Sequence, residues 1–382
     1  MRSIGVVTGS RADYGIYLPI MRRMLKDPEL RLVLFVTGMH LSPDFGLTVD
    51  AIKADGFEIS EQIEMLLSSD SPEGIAKSMG LGAIGFSQAY SRTSVDLLLV
   101  LGDRFEMLAA VVAALPFNIP IAHIHGGEIT EGAIDDCIRH AITKMSHLHF
   151  VATDEYRQRV IQMGEQPSRV IVSGAPTLDN LSALNLMNRE EIERVYGLSR
   201  SSPFLLVTYH PVTLDHSSTQ SQITEVISAL EATSLDVFFT YPNADTSSRT
   251  IVREIQEATQ RSHRMKVANS IGTRAYFSLM SHAAAMVGNS SSGIIEAASF
   301  RLPVVNIGSR QKGRTRPTNV IDVECNREGI EKGIRRALSG EYRQSLETLI
   351  NPFGDGRASE RIVATLKSVD LNTLIHKQFH EG

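Results

Sequence analysis

Short apolar, β-branched runs alternate with longer segments whose apolar residues recur every three or four positions, almost from end to end of the chain. The first half reads as strands at 3–8, 30–37, 95–101, 119–124, 148–152 and 170–173. Helices at 14–26, 71–93, 105–115, 135–146 and 154–164 separate them. The run VDLLLVL at 95–101 is nearly all apolar, as a parallel strand covered on both faces requires. Around 174–200 the alternation is interrupted by Gly174, Pro176 and the polar helical stretch MNREEIERVYGLSRSSP. It resumes with strands at 204–209, 236–241, 265–268, 283–287, 303–307 and 319–323. The helices of this half fall at 218–232, 247–260, 273–281, 294–300, 327–338 and 358–371. The expected fold class is α/β: two Rossmann-like, doubly wound domains facing a cleft, with residues 1–176 in one and 177–357 in the other.

In such folds the loops after strands carry ligand-binding and catalytic groups. Here those loops are rich in charge and imidazole. After the first strand, Gly9 and Ser10 lead into a helix and Arg11 can reach a phosphate; a turn with a solvated Arg is the plain alternative. The loop is not GxGxxG, so a dinucleotide site lacks its fingerprint. After VDLLLVL come Asp103 and Arg104, poor structural choices at the tip of a central strand. After 119–124 come His125, Gly126, Gly127 and Glu128, with His123 on the strand itself. His123, His125 and Glu128 could suggest a metal, but strand residues two apart do not set tetrahedral geometry and no further ligand set is evident. No metal is therefore expected, and the glycines free the backbone so that Glu128 can point inward. Glu131, Asp135 and Asp136 precede or open the next helix; one aspartate can cap it, and Arg139 and His140 lie one turn on.

In the second half, Pro211 leaves His210 at a strand tip, and YPNADT at 241–246 ends the next strand in the same manner. The stretch MVGNSSSGIIEAASF at 286–300 reads as a strand end, a turn of small polar residues and a helix. Ser290, Ser291, Ser292 and Gly293 fall at the helix N-terminus, where free N–H groups and the helix dipole favour an anion such as a phosphate. A capping box counted from Ser292 needs its acid at 295, which is Ile295, so Glu296 is uncommitted and suits a ribose hydroxyl pair. An ordinary Ser-capped helix with a surface Glu is the alternative. The loop GSRQKGR at 308–314 sets three cations together, as a diphosphate clamp or a solvated basic loop.

Composition narrows the partners. The chain has 382 residues, room for two domains, and is 42% hydrophobic and 21% charged. Its net charge of −5, without a Lys/Arg run, argues against nucleic acid. Cys137 and Cys325 make neither a disulfide framework nor a thiolate metal cluster. The N-terminus has too short an apolar core for a signal peptide, and no 18-residue apolar run follows, so no membrane partner and a cytoplasmic location are expected.

Taken together, these loops resemble the hydrolysing UDP-N-acetylglucosamine 2-epimerases, which include bacterial sialic-acid-pathway enzymes and the epimerase half of the animal bifunctional epimerase/kinase. The signatures are TGSRADYG (8–15), TGMHLS (37–42), LGDRFE (101–106), HIHGGE (123–128), DDCIRHAITKMSHLH (135–149), YHPVT (209–213), YPNADT (241–246), GNSSSGIIE (288–296) and GSRQKGR (308–314). Non-hydrolysing relatives read HGDT and HVEAG in the first-domain loops, and this chain departs from both. The resemblance implies a glycosyltransferase-B type fold, with the C-terminal helix in 358–382 packing back on the first domain. It implies that UDP lies on the second domain: Ser290 and Ser291 on the diphosphate, Glu296 on the ribose, Arg310 and Arg11 on phosphate oxygens, His210 beside the diphosphate. Acid/base roles fall to Asp103, Glu128 and Asp135, with Asp135 favoured over Asp136. The implied reaction eliminates UDP from UDP-N-acetylglucosamine to a glycal, then adds water to give N-acetylmannosamine, without a cofactor. UDP-N,N′-diacetylbacillosamine is the alternative substrate, and the TGMHLS loop with Met39, His40 and Leu41 is one candidate for sugar selection. A UDP-sugar transferase on the same scaffold and a silent UDP-sugar sensor are rival functions. A homodimer or homotetramer built through the first domain is implied as well.

Overall fold

The computed structural model describes residues 1–68, 71–130, 134–211, 219–242, 248–268 and 271–381. The chain divides into two compact units: Met1–Ile129 with Ala133–Asn180 and Phe353–Gly382, and Leu181–Pro352 with Thr130–Gly132.

The first unit is built on a seven-stranded sheet: β1 (Arg2–Thr8), β2 (Leu30–Thr37), β3 (Glu61–Ile63), β4 (Leu97–Leu101), β5 (Ile121–Ile124), β6 (Leu148–Val151) and β7 (Val170–Val172). Every pairing is parallel, and the spatial order is β3-β2-β1-β4-β5-β6-β7. The order reverses between β1 and β4, the switch point at which doubly wound sheets open their ligand crevice. β4 is buried at every position, which is why its sequence carries no alternation. The helix Arg11–Leu25 buries Tyr14, Tyr17, Ile20, Met21 and Met24, one stripe at helical spacing, against the sheet. A buried side chain of this size stabilises the fold by about 1.5–3 kcal/mol. The chain returns at its end: Ala175 N–H donates to Phe353 O at 2.7 Å, and Asp179 accepts from the backbone N–H groups of Ala358 and Ser359 at 2.9 and 2.6 Å. The helix Ala358–Ser368 packs on the helix Arg11–Leu25.

The second unit holds a six-stranded parallel sheet: β8 (Phe204–Thr208), β9 (Asp236–Thr240), β10 (Met265–Ala268), β11 (Ala285–Gly288), β12 (Val304–Ile307) and β13 (Val320–Val323). Its order is β10-β9-β8-β11-β12-β13, with the switch between β8 and β11. The polar stretch before β8 forms the helix Arg189–Tyr196, closed by a capping box between Asn188 and Glu191.

Two local readings need correction. β3 is absent from the hydrophobic pattern, because an edge strand of three residues, EQI, has too little apolar content to mark it. The helix expected over 294–300 instead starts at Ser291 and ends at Ile295, and a 3₁₀ turn, Ala297–Phe300, follows. Glu296 is therefore the residue between two short helical pieces and is buried, not a surface position inside one amphipathic helix.

Candidate functional site

Each sheet brings polar residues to its switch point. In the first unit, β1 delivers Gly9, Ser10 and Asp13, and β4 delivers Gly102, Asp103 and Arg104. Ser10 caps the helix Arg11–Leu25 by accepting from Asp13 N–H at 3.3 Å, and Arg11 is exposed at that N-terminus. Asp13 is buried and accepts from Gly9 N–H at 3.3 Å. Burial pushes its carboxyl up to about 6, with the Arg104 guanidinium opposing and the Glu106 carboxylate adding to the rise. Glu106 is fully buried and takes a two-pronged grip from Arg104, 2.7 Å from Nη2 to Oε1 and 3.1 Å from Nε to Oε2. Arg104 also feels Asp135 electrostatically.

Arg139 is the hub of the remaining acids. It projects from the helix Ile134–Met145 and is almost fully buried. Its Nη2 is paired with Asp103, its Nη1 donates to Glu128 O at 3.0 Å, and Asp136 stands 3.6 Å from Nη1. Asp136 also meets His140 at 3.4 Å. The structure therefore gathers the carboxylates of Asp103 and Asp136 and the backbone carbonyl of Glu128 around one guanidinium, while Asp135 is half-buried on the same helix and acts on Arg104 electrostatically. Glu131 lies outside the described residues.

Glu128 is buried, and its Oε1 lies 2.6 Å from His125 Nδ1. His123 is a structural residue: Nε2 meets Gly102 O at 2.8 Å and Nδ1 meets Thr143 Oγ1 at 3.2 Å. Burial lowers its imidazole to about 3, so it stays neutral and ties β5 to the end of β4. His40 is likewise fully buried, spans Thr8 Oγ1 at 2.9 Å and Thr48 Oγ1 at 2.7 Å, and is pushed by burial to about 4. It braces the TGMHLS loop, and Met39 Sδ accepts from Arg104 Nη2 at 3.6 Å.

In the second unit, Gly288 ends β11 at φ +141°, where a Cβ would stand 2.0 Å from Thr208 O; only glycine fits. Asn289, fully buried, then clamps His210 by accepting from its N–H at 2.7 Å and donating to its carbonyl at 2.8 Å. Arg310 Nη1 and Gln311 Nε2 both donate to Asn289 O, at 3.1 and 2.9 Å. The loop GSRQKGR is thus fastened to the NSSSG turn. Ser290 is the N-cap of Ser291–Ile295 and accepts from Ser292 N–H at 3.4 Å. Ser291 and Ser292 are half-buried beside it. Burial, and then the charge of Arg310, lower the His210 imidazole to about 3. Tyr276 hydrogen-bonds Thr208 at 3.2 Å, and its hydroxyl is held above its usual range by burial, with Glu296 contributing. A cavity of about 580 Å³ opens at the GSRQKGR loop, lined by Tyr209, Ser309, Lys312, Arg316, Asp322 and Cys325. Residues 212–213 and 243–246, singled out by sequence, lie outside the described residues.

The sequence marks Arg139 only as a position one turn beyond Asp135, and it marks neither Asp13, Glu106, Asn289 nor Gln311 as a site residue. A signal existed for Asn289: it stands directly after the strand-ending Gly288, at the switch point. No one-dimensional pattern reports that Arg139 and Asp103, 36 residues apart, meet.

The chain is 40% identical over 376 residues to the UDP-N,N′-diacetylbacillosamine 2-epimerase (hydrolyzing) of Legionella pneumophila, covering 98% of each. It is 39% identical over 381 residues to the GDP/UDP-N,N′-diacetylbacillosamine 2-epimerase (hydrolyzing) of Campylobacter jejuni, covering 99% of this chain and 98% of that one. The crystal structure of UDP-GlcNAc 2-epimerase from Neisseria meningitidis bound to UDP-GlcNAc superposes with a TM-score of 0.81 at 18% identity, over 96% of this chain and 99% of that one. That likeness gives the fold, two Rossmann-like units of the glycosyltransferase-B type. With a family model described as UDP-N-acetylglucosamine 2-epimerase matching residues 22–367, the chain belongs to the UDP-N-acetylglucosamine 2-epimerase family.

Proposed function

We propose that this 2-epimerase is of the hydrolysing kind and acts on a UDP-linked 2-acetamido sugar, releasing UDP and the free C2 epimer. The observation that carries the reading is the set of acids in the loops after the strands and on the helix Ile134–Met145: Asp103 and Asp136 meet the Arg139 guanidinium, which also holds the backbone carbonyl of Glu128, and Asp135 is one residue away. Elimination removes the C2 proton, and the C–H electron pair becomes the C1=C2 double bond of a glycal as UDP leaves from C1. Water then adds at C1 and a proton returns to C2 on the other face. Two faces call for two acid/base groups, and Asp103, Glu128 and Asp135 supply them. Each contact contributes roughly 10²–10⁴ in rate. Ser290 and Ser291 hold the diphosphate, Arg310 and Arg11 offset its charge, His210 lies beside it as a neutral donor, and Glu296 takes the ribose. The scheme needs no metal or nicotinamide.

The sugar in this reading is the 2,4-diacetamido one, because the relatives at 39–40% identity carry that substrate in their names. UDP-N-acetylglucosamine is the second reading, favoured by the family description. Assaying UDP release with both nucleotides separates them: kcat/KM at least tenfold higher for UDP-N,N′-diacetylbacillosamine supports the first, and the reverse preference overturns it. A cytoplasmic homodimer completes the proposal. Leu81 and Ile84 on Pro72–Arg92, Val112 on the helix Phe105–Ala114 packed beside it, and Leu115 and Phe117 on the 3₁₀ turn that follows are exposed apolar residues that a second copy can cover. Sedimentation at micromolar concentration tests it, and a monomer there contradicts it.

A further inference from the structure

The helix Ile134–Met145 carries Asp135, Asp136 and Arg139 at its front, where Arg139 fastens it to Asp103 and to Glu128 O. Its back end is fastened by Lys377, 233 residues further along the chain than Lys144. Lys377 Nζ donates to Lys144 O at 2.5 Å and to Ser146 O at 2.7 Å. Lys144 O is one of the last carbonyls of the helix, which have no intrahelical donor. A cation at that end also meets the negative pole of the helix dipole.

The ammonium is held from the other side by Glu165, 2.8 Å away and almost fully buried. The same carboxylate takes Lys144 Nζ at 2.6 Å and His149 Nε2 at 3.0 Å, and Lys144 Nζ also donates to Met163 O at 2.8 Å. Burial pushes the Glu165 carboxyl up, but the hydrogen bonds from His149, Lys144 and Lys377 outweigh it and hold it down at about 2. A buried carboxylate stripped of such partners is strongly disfavoured, so the four side chains stand or fall as a unit. The segment that brings Lys377 is itself tied down. Arg169 donates to the carbonyls of Leu374 at 2.8 Å and of Thr373 and His376 at 2.9 Å, and His380 N–H donates to Gly164 O at 2.9 Å. The Phe379 ring covers Gly164, where a Cβ would meet it at 2.2 Å, and the Lys144 ammonium stands 5.1 Å from its centroid. All of these residues belong to the first unit. An ordinary helix end is closed by a glycine turn or by water, and this one is closed by a buried ionic cluster.

We propose that Lys377 is a positioning residue for the reaction: with Glu165 it clamps the back of the helix Ile134–Met145 and so fixes where the front of that helix presents its acids. The inference rests on the acid/base reading of Asp135 above. Lys377 touches no reacting atom and acts through the helix. A helix is stiff along its axis, so a shift allowed at Lys144 is carried to Asp135 and Arg139, and misplacing an acid/base group by a fraction of its hydrogen-bond length lowers the rate without weakening a nucleotide held elsewhere.

Variants of the full chain test this by kcat and KM with the UDP-sugar that turns over, UDP affinity by calorimetry, and amide hydrogen exchange across residues 134–146. Lys377→Met removes the donor and keeps the length, and Lys377→Arg restores a cation. Lys367→Met is the control: it frees Asp27 and Glu29, at 3.2 and 2.6 Å, on the same C-terminal stretch without touching Ile134–Met145. The expected result for Lys377→Met is faster exchange across 134–146 and a kcat loss of about tenfold, with KM and UDP affinity within about threefold. Lys377→Arg recovers most of that loss, and Lys367→Met keeps the wild-type kcat. Phe379→Ala loosens the same segment without unpairing a charge; it is expected to give the same split at smaller size and carries the test if Lys377→Met does not fold. Wild-type kcat in Lys377→Met despite faster exchange overturns the positioning role and leaves the cluster purely structural. An equal kcat loss in Lys367→Met, or a loss of UDP affinity in step with kcat, also overturns it. Wild-type turnover in Asp135→Asn removes the acid/base reading on which the inference stands, and so overturns it through its premise and not through the clamp.

Discussion

The two units end their central strands in opposite chemical styles. At the β1/β4 switch the first unit collects carboxylates, Asp13, Asp103 and Glu106, and balances them with Arg104 and Arg139. At the β8/β11 switch the second unit collects neutral donors and a cation, Ser290, Gln311, His210 and Arg310, on an Asn289 clamp. In the proposed reading, the same doubly wound scaffold serves proton transfer in one unit and polyanion binding in the other. In the first, burial and the Arg104 guanidinium act in opposition on the Asp13 carboxyl. In the second, burial and a neighbouring cation keep His210 from charging, so it can donate or accept without adding to the charge balance.

The comparison breaks most visibly at Glu128. Glu128→Gln is expected to lower kcat by about 10²–10⁴-fold while UDP affinity stays within about threefold; equal losses in both would put Glu128 on the binding side. Next comes Asp13. Its carboxyl sits at about 6 in the fold against an ordinary 3.8, so the folded state binds the proton more tightly. The penalty is absent below about 4, grows between 4 and 6, and is complete above 6. At roughly 1.4 kcal/mol per pKa unit it reaches about 3 kcal/mol. Asp13→Asn should therefore gain stability over wild type as pH rises from 4 to 7 in paired urea titrations, and a pH-independent difference would contradict the burial argument. The smallest effect is on the second unit: Arg310→Ala should weaken UDP binding ten- to a hundredfold, about 1.5–3 kcal/mol for a lost charged hydrogen bond, with C2 chemistry at saturation little altered. Unchanged UDP affinity in that variant would remove Arg310 from the clamp.

Much of the fold was legible because its signals are local. VDLLLVL announces a strand buried on both faces, and the restart of alternation after Pro176 announces a second sheet. β3 was not legible, since a three-residue edge strand buries too little to write a pattern. At the site, Asp103, Glu128, Ser290 and Arg310 could be picked out by position at strand ends. Their partners could not. Arg139 reaches Asp103 from a helix that begins 31 residues later, and Asn289 joins two strand tips 79 residues apart in sequence, pairings set by strand order alone. His123 and His40 carry the chemistry of ligands, but burial and two hydrogen bonds apiece commit them to the frame.

The central claim is that the first unit's acids exchange the C2 proton with solvent while UDP departs. Proton NMR of the purified protein in D₂O, with UDP-N,N′-diacetylbacillosamine and then UDP-N-acetylglucosamine, tests it directly. The account predicts release of UDP and a free C2-epimerised sugar carrying deuterium at C2. Release of UDP with the C2 proton retained, or binding of both nucleotides without turnover, would contradict it.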